Sequence, residues 1–484
     1  MQSENLTIGA MPSRSLWERL IKYIVDPRRG SHKYLLQFLL CLFLSGPTFF
    51  DNFFNACVTD IIERLEISHE RFSLLISVPS ITGVFCGVVA GVVTAYGSTI
   101  TASFTAVFSF IGAIILCYGV AESSFATMMV GRIIFVLFWN LLGSVQKVII
   151  FREFTGNSLA WIFGLKIVAI RIGAVSGLYF AGEIMEQVDN SLPDAFYYAL
   201  VLSGISLICT LCFSYLRRGT STARLVLPLI VGRRSSIRQR GSVSSGNRSS
   251  SLFSIPKNSW ICCLIIFLYY GGIVPFETFG VDYLVTNYGL SRGDAGKAMA
   301  LFPFFSFFSP VLSPALSSLR NQIWALVIAQ LVVSGGLVAE VFHAPYAPVL
   351  FLCIMGIGHL IVANAVWLAL AGLSPSDLDK TNAASVSSAI YALSGFVFNW
   401  FTGTVRDLSG SYDSALLILS SLLTLGSVIA VYLLGWASWN EPFRGNEMDR
   451  VLLHNSYDDS NETPHVLHTS TSTNIDPDHF SRVE

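Results

Sequence analysis

Twelve apolar stretches, six before and six after one long basic, serine-rich segment, constrain this chain more than any other feature. Each runs for roughly 20 residues or more, and at a rise of about 1.5 Å per residue that crosses a hydrocarbon layer about 30 Å thick, whereas core helices of soluble proteins are usually shorter. They fall near 34–57, 70–94, 99–120, 124–150, 159–185, 195–216, 259–284, 295–318, 322–343, 347–373, 381–404 and 413–437. A soluble multi-domain reading is excluded by composition: with 53% hydrophobic and 13% charged residues and a mean hydropathy of +0.60, too little charge is left to cover a water-facing surface. The expected architecture is an all-α membrane protein of two six-helix bundles, 34–216 and 259–437, joined by a linker over 217–258 and flanked by an arm over 1–33 and an acidic tail over 438–484.

The net charge of −1 hides an uneven distribution that predicts orientation. Arg217, Arg218, Arg224, Arg233, Arg234, Arg238, Arg240, Arg248 and Lys257 fill the linker without an Asp or Glu among them, and basic loops stay on the cytoplasmic side. Six spans on either side then place both termini in the cytoplasm, in keeping with Arg28, Arg29 and Lys33 just before the first span. Asp60, Glu63, Glu66, Glu70, Glu186, Asp189 and Asp194 fall on the opposite face. No cleavable signal peptide is expected, because the first apolar run is too long and begins too late. In the arm, Leu16, Trp17, Leu20, Ile21, Ile24 and Val25 recur at helical spacing, which predicts a helix lying on the cytoplasmic leaflet; a disordered arm is the alternative. The Ser/Arg/Gly-rich run 241–251 cannot bury enough surface to fold; it reads as a solvated tether near anionic lipid, or as a phosphorylation target.

Enzyme chemistry has little to stand on. Of nine cysteines, Cys86, Cys117, Cys209, Cys212, Cys262 and Cys353 lie inside spans, so no disulfide framework follows, and the Cys209/Cys212 spacing within an apolar helix reads as packing. Metalloprotease, nucleophile-elbow and phosphate-loop motifs are not found, and no metal or other cofactor is called for.

A carrier needs a polar site near the midplane, where helices are broken at matching positions of its two halves. The first span has Gly46-Pro47 followed by Asp51, and the seventh has Tyr269-Tyr270-Gly271-Gly272 followed by Pro275 and Glu277. Proline removes a backbone hydrogen bond, so each half is expected to carry one weakened helix with a carboxylate nearby. Arg171, at the centre of the fifth span, is too deep to reach either surface. It must face a cavity or a partner, and its planar fork suits a carboxylate. The competing reading is a permanent salt bridge to Asp51 or Glu277. Gly173 and Gly177 form a GxxxG face for close helix approach. Arg132, near the start of the fourth span where snorkelling is possible, has a fold-stabilising or a substrate role, Lys166 and Lys147 are gate or snorkelling residues, and Glu340 is interfacial.

On Gly131-Arg132, Gln146, Phe163-Gly164, Arg171-Ile172-Gly173, Tyr269-Tyr270, Pro275-Phe276, Ser309-Pro310, Ser313-Pro314, Ala365-Val366-Trp367 and Gly403 to Asp407, in that order, the chain resembles the major facilitator superfamily and, within it, its lysosomal dipeptide carriers. The resemblance covers nearly all spans. It implies the major facilitator fold, uniport of dipeptides by alternating access, a substrate carboxylate held by Arg171, and a cavity shared by Glu277, Asp51, Tyr269, Tyr270 and Trp367. It further implies a glycosylated single-span accessory subunit. Two departures stand out. Asn140 occupies the place of a glutamate expected to meet the peptide amine, and the loop after the second span reads Gly91 to Gly97 without the usual Asp and Arg.

In the tail, Asp449, Leu452 and Leu453 form an acidic dileucine pattern read by endosomal sorting adaptors, which favours a lysosomal or endosomal membrane over the plasma membrane. The sequons at Asn5, Asn247 and Asn461 lie on the predicted cytoplasmic side and stay unmodified. A carrier of single amino acids or other organic anions, and a non-transporting membrane sensor or scaffold, are the alternative functions.

Overall fold

The computed structural model describes residues 30–86, 98–153, 156–226, 255–316, 318–342, 348–374 and 377–459. The predicted surface helix of the arm, the loop 91–97 and most of the linker lie outside the described residues. Among those described, all regular structure is helical. The first half comprises α1 (Gly30–Cys41), a 3₁₀ turn Leu42–Leu44, α2 (Ser45–Ala56), α3 (Val58–Leu65), α4 (His69–Ser80), α5 (Ser98–Ala121), α6 (Phe125–Glu153), α7 (Gly156–Tyr179), α8 (Ala181–Gln187) and α9 (Leu192–Val226). The second half comprises α10 (Lys257–Tyr288), α11 (Arg292–Phe304), a 3₁₀ turn Phe305–Phe308, α12 (Ser309–Leu312), a 3₁₀ turn Ser313–Leu316, α13 (Leu319–Val341), α14 (Pro348–Gly372), α15 (Asp377–Ser409) and α16 (Asp413–Asp459).

Nine helices among the described residues are long and apolar enough to cross a membrane, and α7 with α8, bent by 48° at their junction, makes a tenth. The other two expected spans are α4, which runs toward the undescribed 87–97, and α15, whose Asp377, Lys380, Asn382, Asn399, Arg406 and Asp407 make it the most polar of the set. Burial is distributed as a bilayer solvent demands. Val201, Ile205, Ile208 and Tyr215 of α9 point outward, while Gln146, Gln330, Asn399, Glu340 and His359 are fully or almost fully buried. Helix α9 continues past the expected end of the sixth span, so the linker begins as helix. The chain forms two compact units, Met1–Leu434 and Gly435–Glu484. The membrane helices belong to the first, and α16 continues through the second as far as Asp459, so Asp449, Leu452 and Leu453 lie on helical backbone.

The GxxxG face works as the sequence predicts. A Cβ on Gly173 would strike the backbone of Ser45, and one on Gly177 the backbone of Phe49, so α7 presses directly onto α2. Between the halves, α4 packs on α15 and α7 on α11.

Candidate substrate-binding site

Pro47 breaks the first span as expected, and Ser206 of α9 repairs it. Its hydroxyl accepts from the Gly46 N–H at 2.7 Å and donates to the Leu42 carbonyl at 2.7 Å, standing in for the missing rung of the helix ladder. The 3₁₀ turn Leu42–Leu44 follows from that insertion. The seventh span differs from expectation, because α10 stays helical through Pro275 over 32 residues. In the second half the interrupted helix is the eighth, where Pro303, Pro310 and Pro314 divide the span into α11, α12 and two 3₁₀ turns. There Ser309 donates to Asn364 Oδ1 at 2.6 Å, and Asn364 donates back to the Leu360 carbonyl of its own helix.

The polar centre is built from three helices. Arg171 of α7 lies 3.0 Å from His359 Nε2 of α14 and 3.7 Å from Glu277 Oε1 of α10. Tyr269, one helix face away on α10, meets His359 Nδ1 at 2.8 Å. Arg171 and Glu277 are each about a quarter exposed, whereas His359 is sealed beneath Phe302, 4.9 Å between rings. Beside this cluster, Tyr270 stands edge-on to Tyr391 of α15 at 4.7 Å, with the Trp367 indole near its hydroxyl. Arg171, Glu277, Tyr269, Tyr270 and Trp367 are thus brought together.

Other expected site residues sit elsewhere. Asp51 pairs with Arg132 Nη2 at 2.6 Å, and the guanidinium lies over the Phe54 ring at 4.4 Å. Arg132 is 3% exposed, so it does not snorkel; it turns inward because an acid on α2 awaits it. Asn140 of α6 faces the crossing of Gly83 and Ala392, next to Tyr391. Lys166 is buried near Cys41 and within electrostatic reach of Lys147. Glu340, expected at the interface, is completely buried, with its carboxylate and carbonyl taken by Tyr288 and Tyr283. His359 was not anticipated, although the rule that singles out Arg171, an ionisable group at mid-membrane depth, applies to it equally.

At the face remote from the linker the two halves are latched. The Asp407 carboxylate of α15 accepts from the Glu70 and His69 N–H groups at the start of α4, at 2.7 and 3.1 Å. The His69 ring lies between Asp407 at 3.2 Å and the buried Asp282 at 3.3 Å. Asp282 also accepts from Thr59 and Tyr412. Arg292 reaches across to Asp60 and Glu63. Burial alone would raise the Asp407 carboxyl, but the Glu70 and His69 amides and the Ser68 hydroxyl outweigh it and hold the group below the usual carboxylate range.

A bundle of membrane-crossing helices with opposite charges from its two halves meeting at mid-depth defines a membrane transporter. The sequence profile of the Major Facilitator Superfamily matches residues 38–399, and the chain belongs to that family. Its members are secondary transporters, and this multi-pass membrane protein is one of them rather than an enzyme. Among solved structures the fold is similar to the nucleoside transporter NupG, at 12% identity and a TM-score of 0.60 over 83% of this chain and 98% of that one. It is also similar to a bacterial homolog of the human lysosomal transporter Spinster, inward-facing and unoccupied, at 14% identity and 0.59 over 84% and 96%. A third is the transporter FucP in its outward conformation, at 15% identity and 0.54 over 82% and 98%. These likenesses show the fold. In a comparison with curated protein sequences, nothing matches the chain.

Proposed function

We propose that this protein carries small zwitterions, dipeptides foremost, by alternating access. The observation that carries the reading is the pair formed by Arg171 and Glu277. The two charges come from different halves and stand 3.7 Å apart, too far for a hydrogen bond and close enough for one zwitterion to engage both. A substrate carboxylate takes the guanidinium fork, its ammonium takes Glu277, and the loose protein pair is exchanged for two charge-assisted contacts. Because each half contributes one charge, occupancy ties the halves together. Asp51 is engaged by Arg132, which leaves Glu277 as the acid that compensates for Asn140, with Tyr269, Tyr270 and Trp367 as the wall. Carriage of single α-amino acids is the second reading, favoured by the same short spacing, since such solutes hold their charges on one carbon.

Proteoliposome uptake of alanylalanine, alanine, an amino-blocked dipeptide and a dipeptide ester tests this. Arg171→Lys is expected to lose most uptake at unchanged abundance, because a point charge replaces the fork. Glu277→Gln is expected to lose free-amine peptides while sparing the amino-blocked one. Uptake unaffected by either change, or lost only in step with folded protein, returns the pair to a structural role.

The resemblance and the dileucine pattern support a lysosomal or endosomal address, sorting adaptors on the tail and a glycosylated accessory subunit. The basic 217–258 segment supports cytoplasmic termini, with Lys166 near the cytoplasmic gate. An impermeant label is expected to reach that segment only from the cytoplasmic side.

A further inference from the structure

The hydrogen bonds around His359 leave it one protonation state. A guanidinium has donors and no acceptor, so the 3.0 Å contact with Arg171 requires His359 Nε2 to carry a lone pair. The ring proton then sits on Nδ1 and is donated to the Tyr269 hydroxyl at 2.8 Å. That hydroxyl, accepting from the ring, has its own proton available for a further acceptor. The ring cannot evade the arrangement, being 1% exposed and packed against Phe302 of α11.

We infer that His359 is the positioning residue that presents Arg171 to substrate, and that it does so only as the neutral Nδ1–H tautomer. The inference rests on the zwitterion reading for its substrate and on the contacts alone for its tautomer. By occupying Nη2 of Arg171, the imidazole fixes the plane of the fork and leaves Nη1, 3.7 Å from Glu277, for a carboxylate. A proton added at Nε2 would set donor against donor and cation against cation. Glu277 Oε1 lies 3.9 Å from Nε2, beyond hydrogen-bond reach, so it offers the sealed ring no alternative partner. The charged and titratable groups facing the ring are Arg171 from α7 and Tyr269 and Glu277 from α10. Tyr270 and Tyr391 stand one ring beyond, and Asp51 acts on Glu277 from α2.

The test uses the full-length protein with ¹⁵N-labelled histidine in lipid nanodiscs, with His359→Gln identifying the signal. The expected spectrum shows a protonated Nδ1 and a bare Nε2 at neutral pH, and Arg171→Met releases the lock so that the other tautomer appears. An Nε2–H form or an imidazolium in the unmodified protein at neutral pH overturns the inference. In proteoliposomes with alanylalanine, His359→Phe is expected to raise KM about tenfold with kcat nearly unchanged, the loss of a hydrogen bond to a charged group. His359→Gln, which keeps an acceptor for Arg171, is expected to recover most of the KM lost in His359→Phe, and a glutamine variant as impaired as the phenylalanine one refutes the positioning role. If His359→Phe fails to fold, the spectrum and the glutamine variant still decide. A locked tautomer in a protein that takes up no zwitterion would sink the proposed substrate and leave the assignment of His359 standing.

Discussion

Removing Arg132 strands Asp51 inside the bundle. The two charges meet at 2.6 Å with side chains 3% and 16% exposed, so at an effective dielectric of about 20 their raw attraction is about 6 kcal/mol. Desolvation of the arginine consumes most of that, since its Nε and Nη1 find no hydrogen-bond partner and its face is covered by Phe54 at 4.4 Å. The net value of the intact pair over an apolar substitute is therefore small, while the cost of losing one partner is large. Arg132→Met is expected to destabilise by about 3–5 kcal/mol, Asp51→Asn by less because the arginine keeps its ring contacts, and the double variant by less than Arg132→Met alone. Unfolding of the purified protein in mixed detergent and SDS micelles, followed by tryptophan fluorescence, measures all four corners of the cycle. A double variant that loses the sum of the two single losses would show that the residues do not act as a pair. An Arg132→Met protein as stable as the original would show that Asp51 is not confined.

Ser206→Ala removes the acceptor of the Gly46 N–H at the break of the first span, while the Leu42 carbonyl keeps the Ser45 hydroxyl at 2.9 Å, and a loss of about 1–3 kcal/mol is expected in the same unfolding assay. Gly173→Ala drives a methyl into the Ser45 backbone; the expected result is a cost of about 1–3 kcal/mol, read as a lowered melting temperature, and an unchanged one would contradict the close approach of α7 to α2. The Asp407 latch has a defined acid limit. A carboxylate held below its unfolded value contributes stability that is fully present above that value, about 3.9, and is lost only as pH falls through the still lower folded value. Spin-label distances between α4 and α15 at this face, measured by double electron–electron resonance, should then be the same near pH 5 as at neutrality in the intact latch, and longer at both in Asp407→Asn.

What could be read from sequence divides along a physical line. A bilayer makes each buried ionisable group expensive, so depth alone marks Arg171 and marks His359 near the middle of α14 equally, whereas Glu340, one residue from the end of α13, is covered by its tyrosine partners. The identity of each partner is a different matter. Arg132 and Asp51 lie on helices α6 and α2, and their pairing depends on how those helices are rotated against each other, a quantity that no spacing within either helix encodes. The same limit explains the prolines. Pro47 breaks its helix because Gly46 has room for the Ser206 hydroxyl to enter the ladder, a circumstance supplied by α9. Pro275 leaves α10 helical even though the local chemistry is the same. Three prolines crowded into the eighth span, Pro303, Pro310 and Pro314, interrupt it, and spacing within that segment alone does not show that the break falls there rather than at Pro275. Polar content also tells which side of α15 faces inward, because a span that can tolerate Asn382, Ser387, Asn399 and Thr402 must turn them away from lipid, and all four are buried. Cost is therefore written in one segment and its compensation in another. A transporter's site is found where costs from two halves meet, as Arg171 and Glu277 do across the centre of this bundle.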